Sequence, residues 1–266
     1  MHTKYPIDVG GDSNFISGIY NYCDRWCERC PFSTRCAVYA AEEADLDVDP
    51  AVRDITNAAF WEKLAAIFSE AQAMILAMAE ERGVDLSPEA LEPIKQQKEI
   101  LRSNARNHQL AKTAEAYAHT VTQWFEQQSS KMEPVSDVLE GSDPEREFDD
   151  HVDADIDEYV EVIRWYQFFI AAKLIRALMS RVDEDDYLDD ESARDSNGSA
   201  KAALVGIERS IGAWKLMCDS RPEESDTIRK LLLDLEKLRL SAETEFPGAR
   251  GFIRPGFDEL NLDTLH

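Results

Sequence analysis

A chain of 266 residues with 44% hydrophobic residues is long enough to bury a substantial core without help from disulfides. Its 53 acidic against 29 basic residues leave a formal charge of -24, and no local cluster of Lys and Arg interrupts that balance. Binding along a nucleic-acid backbone, which needs such clusters, is therefore excluded as an expectation, and an anionic membrane surface fits no better. Docking to a basic protein or redox partner remains compatible with the charge.

The opening MHTKYPIDVGGD has one lysine and no apolar stretch of the kind a secretory signal carries, so a cytoplasmic location is expected. Pro6, Gly10, Gly11 and Gly18 make residues 1–18 an irregular arm. The arm leads into four of the chain's five cysteines, Cys23, Cys27, Cys30 and Cys36, within fourteen residues. Their spacing is C-x3-C-x2-C-x5-C, and on a helix the first three would point to roughly 0°, 40° and -20°, one narrow face. Pro31 ends such a helix, and a turn through Arg35 could return Cys36 over that face. Four thiolates around one point suit a four-iron four-sulfur cluster or a tetrahedral zinc. In a reducing compartment clustered cysteines are more often ligands than disulfides.

After Cys36 a short helix is expected to end near Asp49-Pro50. Apolar positions from Ile55 through Trp61, Leu64, Phe68, Ile75 and Met78 follow helical spacing, with Gly83 as the stop. Ser87-Pro88-Glu89 opens a second long helix extending to about Met132. Pro134 to Asp150 reads as a linker. Ile156 to Arg181 is the most apolar helix and is expected to be central; Glu161, Arg164, Lys173 and Arg176 interrupt it, so it is no membrane span. Asp183 to Asn197, almost all acids and turn residues, reads as an exposed loop without the ligand pattern of an EF-hand. Helices over Ala200–Asp219 and from Pro222 to about Glu245 follow, and a tail with three phenylalanines is expected to strap across them.

No strand alternation survives this pass, so the expected fold is all-α: an antiparallel bundle of four to five helices with an N-terminal cysteine-rich metal module. The domain boundaries are 1–50 for arm and metal module, 51–245 for the bundle, and 246–266 for the irregular tail.

The run from Cys27 through Cys30-Pro31 to Cys36, with Tyr39 and Ala40 downstream, resembles the C-x2-C-P-x4-C signature of the WhiB-like iron-sulfur regulators. Its C-x2-C-x5-C half is similar to the cluster loop of endonuclease III-type glycosylases. Both resemblances imply a four-iron four-sulfur cluster on Cys23, Cys27, Cys30 and Cys36, and both cover about fourteen residues. The first cysteine lies nearer than in either family, and the basic tail of the one and the helix-hairpin-helix motif of the other are missing, so their DNA functions do not carry over. Cys23, Cys27 and Cys30 are also similar to the C-x3-C-x2-C of radical SAM enzymes, but Arg29 stands where an aromatic residue is usual and the β/α repeats of that fold are absent.

The expected function is that of an iron-sulfur protein whose cluster has a redox, sensing or structural role, without identifiable catalytic residues. One alternative is a zinc-stabilised helical interaction module, since Cys27-x2-Cys30 is one zinc-type pair. A second is a bundle enzyme built on polar residues turned inward, among them Arg164, Lys173, Lys201, Glu208 and Arg209. Glu115 and His119 are four apart with no second Glu-His pair, which falls short of a di-iron carboxylate set. Cys218, alone beside Met217, reads as a small buried apolar residue.

Overall fold

The computed structural model describes residues 14–46, 52, 54–131, 150–181 and 190–259. The outer part of the arm, residues 134–149 of the linker, 183–189 of the acidic run and the last seven residues lie outside them. Among the described residues there is no strand, and seven α-helices follow in order. They are α1 (Ala37–Leu46), α2 (Ala58–Arg82), α3 (Pro88–Asn107), α4 (Gln109–Lys131), α5 (Asp150–Met179), α6 (Asp190–Ser220) and α7 (Ser225–Glu245). The chain is all-α and helical-bundle in class, as its periodicity implies.

Two compact units form. One comprises residues 1–21, 25–101 and 255–257; the other comprises 22–24, 102–254 and 258–266. The second unit is the bundle. Its helices pack in a closed ring, α4 on α5, α5 on α6, α6 on α7 and α7 back on α4. The short Arg221–Glu224 connection makes α6 and α7 antiparallel neighbours.

In α5, α6 and α7 the stripes read from sequence become the core. Leu204, Ile207, Trp214 and Met217 of α6 are fully buried, as are Ile228, Leu235 and Leu238 of α7 and Ile163, Ile170 and Leu174 of α5. Across the middle, the Trp214 indole N–H donates to the Tyr117 hydroxyl at 3.0 Å, and the Trp124 ring meets Trp214 edge-on at 5.0 Å. Gly206 lets α5 come close: a Cβ there would stand 3.0 Å from the Tyr166 ring and 3.3 Å from Ile170. Phe246 and Ala249 of the tail are buried as well.

Three expectations change. The helix over 87–132 breaks at His108, whose Nδ1 accepts the Leu110 N–H at 3.2 Å and so serves the open start of α4. The acidic stretch is no loop over Asp190–Asn197, because α6 begins at Asp190. One of its carboxylates finds partners that no local pattern shows: Asp195 pairs with Arg176 of α5 at 2.6 Å and accepts from the Ser180 hydroxyl at 2.6 Å. The Ser196 hydroxyl, buried, donates to the Ala177 carbonyl at 3.0 Å.

The third change concerns α2. It forms as expected, started by Asn57, whose side chain accepts the Ala59 N–H at 3.0 Å, and ended by Gly83 in the left-handed region at φ 65°. Yet none of its 25 residues is buried. Periodicity fixes the helix and says nothing about what covers it.

Candidate functional site

The cysteine segment is built differently from the helix that its spacing suggests. Three short 3-10 turns, Ile19–Asn21, Cys27–Arg29 and Ser33–Arg35, replace it. Two local features break any helix. Gly18 has φ 73°, and Arg25 adopts the left-handed region at φ 61°, rare for a residue with a side chain. Cys30 and Cys36 are extended, each donating its N–H to the carbonyl that opens the preceding turn, at Cys27 and Ser33.

In the first unit the segment is pinned by its own neighbours. The Ile16 N–H donates to the Arg35 carbonyl at 3.0 Å, closing the loop. Ile19 is buried, and Gly256, at φ 76°, lies so near that an added Cβ would stand 3.0 Å from the side-chain tips of Ile16 and Ile19. Phe257 meets Phe32 edge-on at 5.2 Å. Trp26 is buried under the Arg29 guanidinium, 4.3 Å from the ring centre. At the start of α1 the Tyr39 phenol is raised above its usual range, first by its hydrogen bond to Glu43 and then by that carboxylate's charge, with Cys27 and Glu28 adding to it.

Cys23 belongs to the Tyr22–Asp24 stretch of the second unit, and there a polar network holds it. Asp24 accepts the Tyr166 hydroxyl at 2.5 Å and pairs with Arg209. Its backbone carbonyl accepts the Trp165 indole N–H at 3.0 Å. The Arg209 guanidinium also donates to the Tyr166 hydroxyl. Burial, and then the bond to Asp24, raises the Tyr166 pKa well above the phenol range. Burial pulls the Arg209 pKa down, but its bonds to Tyr166 and the Asp24 charge outweigh that and leave it raised. Nothing in the local sequence around Asp24 announces this role, and of the three only Arg209 stood among the polar residues singled out from sequence.

All five cysteines keep their thiols and are half-buried. One contact suits a metal thiolate: Cys30 Sγ accepts the Phe32 N–H at 3.4 Å, the kind of bond that stabilises a charged sulfur. The geometry does not yet match a ligand set. Among the described residues no group of three or more Cys, His, Asp or Glu side chains is gathered so as to hold a metal ion.

The inward polar cluster expected for a bundle enzyme does not form. Arg164 lies over the Phe125 ring at 4.4 Å and Lys173 over Phe169 at 5.4 Å, while Glu208 pairs with Arg250 at 2.5 Å. None of these lines the groove of about 630 Å³ in the bundle, whose floor is Ala118, Ala171 and Ile175 and whose rim carries Arg102, Arg106, Glu115 and His119. His108, between α3 and α4, faces Glu245 at 3.6 Å. Cys218 is half-buried instead of fully buried.

No protein-family model, no curated protein and no solved structure matches this chain. No helix among the described residues is long and apolar enough to cross a membrane.

Proposed function

We propose that this chain is an iron-sulfur protein, with Cys23, Cys27, Cys30 and Cys36 as ligands of a four-iron four-sulfur cluster whose role is redox, sensing or structural. The observation that carries the reading is four half-buried thiols within fourteen residues, one of them already accepting a backbone N–H. The cluster would supply one-electron chemistry or a cross-link for the segment. The residues on either side fit a supporting role: Asp24, Tyr166 and Arg209 fix the backbone beside Cys23, and the Ile16–Arg35 bond ties the loop that carries the other three. Binding would have to draw the four sulfurs together, which is how metal sites commonly couple to local ordering. In a cytoplasmic setting the thiols would stay reduced and available to the cluster.

The test is anaerobic purification of the wild type and of Cys30→Ser, with an absorption spectrum and metal analysis. The reading expects a brown wild-type protein with a broad band near roughly 400 nm and about four irons per chain, and a bleached variant. A colourless protein with one zinc would move the same ligands to the zinc-stabilised interaction module. A wild type without metal would overturn both.

A further inference from the structure

We propose that α2 is a dimerisation helix that pairs antiparallel with α2 of a second copy of this chain. The helix is apolar nearly all round, a composition that belongs in a core, and none of it is buried. Trp61, Phe68, Met74 and Ile75 are each more than half exposed. Isolated exposed apolar residues are ordinary on a protein surface, but a continuous set on one helix marks an interaction surface.

The pattern identifies a helical occupant. Phe60, Leu64, Ile67, Ala71, Met74 and Met78 recur at alternating four and three residues, an unbroken heptad seam along the helix. Trp61, Phe68 and Ile75 follow at sevens along one flank and widen the seam.

Charge points to a second copy. Two chains that each carry -24 repel one another over most of their surfaces, yet Leu64 to Ala79 holds a single charged residue, Glu70. The ends of the helix are self-complementary only when antiparallel. With a two-fold axis between Gln72 and Ala73, Ile67 packs against Met78 of the second copy and Ala71 against Met74. On the flank Phe68 meets Ile75, and Trp61 meets Arg82, a cation over an aromatic ring. A parallel pair would instead stack Glu81 on Glu81 at the end of the seam, where the antiparallel pair sets each Glu81 beside Leu64 and away from the other.

Size agrees. With roughly 200 Å² for a fully exposed large side chain, the exposures of Trp61, Ile67, Phe68, Met74, Ile75 and Met78 amount to roughly 650 Å² per copy, of the order of the roughly 800 Å² that each partner gives to a specific interface.

Sedimentation velocity on the full chain at about 10 μM tests this, with wild type, Met74→Glu, and Leu240→Glu as an exposed control on α7. The expected result is a dimer for wild type and control, and a monomer for Met74→Glu, its dissociation constant raised at least about a hundredfold by a charge buried at the axis. Because Met74 is 65% exposed in the single chain, the variant keeps the wild-type circular dichroism, and its melting temperature matches that of wild type diluted until it is monomeric. Ile67→Cys/Met78→Cys is expected to cross-link residue 67 to 78 between copies under oxidation, mapped by peptide mass spectrometry, while a 67-to-67 link would contradict the antiparallel register. A monomeric wild type overturns the proposal, as does a dimer that survives Met74→Glu. Flotation of a monomer with phosphatidylcholine vesicles would overturn it too, by assigning the helix to a lipid surface.

Discussion

Gly198 and Gly212 stand in the same helix, α6, and replacing each with alanine should move stability in opposite directions. Alanine in a helix interior is favoured over glycine by about 1 kcal/mol, and that gain is common to both substitutions. At Gly212 a Cβ meets nothing within 4 Å, so Gly212→Ala should stabilise by close to that amount. At Gly198 the space is taken: a Cβ would fall 2.5 Å from Tyr22 Cδ1 and 2.8 Å from Phe252 Cζ, two rings that themselves pack edge-on at 4.8 Å. Neither ring can simply swing aside, because Tyr22 also bonds to Asp195. Overpacking of this kind costs about 1–3 kcal/mol, so Gly198→Ala should come out near neutral to about 2 kcal/mol destabilised. Urea unfolding gives both values directly, and in a melting experiment each kcal/mol amounts to about 2–4 °C. Gly198→Ala matching the stabilisation of Gly212→Ala would refute the packing of Tyr22 on α6. If the proposed cluster forms, the same variant should also hold it less well, since Tyr22 adjoins Cys23.

Two further outcomes follow from named contacts. Burial works to raise the Asp195 pKa, but Arg176, Ser180 and Tyr22 outweigh it and hold the carboxyl below its usual 3.8. Its contribution is therefore present above pH 3.8 and lost as pH falls through the lowered value, so wild type and Asp195→Asn should differ in urea midpoint near neutral pH and converge in acid. Tyr117→Phe leaves the buried Trp214 N–H without its acceptor and should cost about 1–3 kcal/mol by urea unfolding. Burial raises the Tyr117 pKa, so the contribution of this one phenol is full below pH 10.0 and is lost as pH climbs beyond, and the difference between wild type and Tyr117→Phe should narrow there.

Much of the bundle was legible in the chain because its helices bury one stripe each. Leu204 through Met217 and Ile228 through Leu238 announce both the helix and the face, and a buried face is what a 3.6-residue period reports. Asp190–Asn197 was not legible, since a run of acids reads as solvated until Arg176 on the preceding helix and Ser180 just past its end are known to face it. The same holds for Asp24, whose partners Tyr166 and Arg209 lie 142 and 185 residues away. The cysteine segment shows a different limit. Spacing alone placed Cys23, Cys27 and Cys30 on one helical face, but Gly18 and Arg25 turn the backbone through the left-handed region and the helix never starts. What survives from the sequence is the concentration of thiols, not their geometry.

The proposed cluster is tested most directly by native mass spectrometry of the chain purified without oxygen, which weighs the protein and whatever it holds together. A wild-type mass raised by four irons and four sulfides is expected, and a Cys30→Ser mass at or near the bare polypeptide. A wild type that carries a single zinc, or no metal at all, would contradict it.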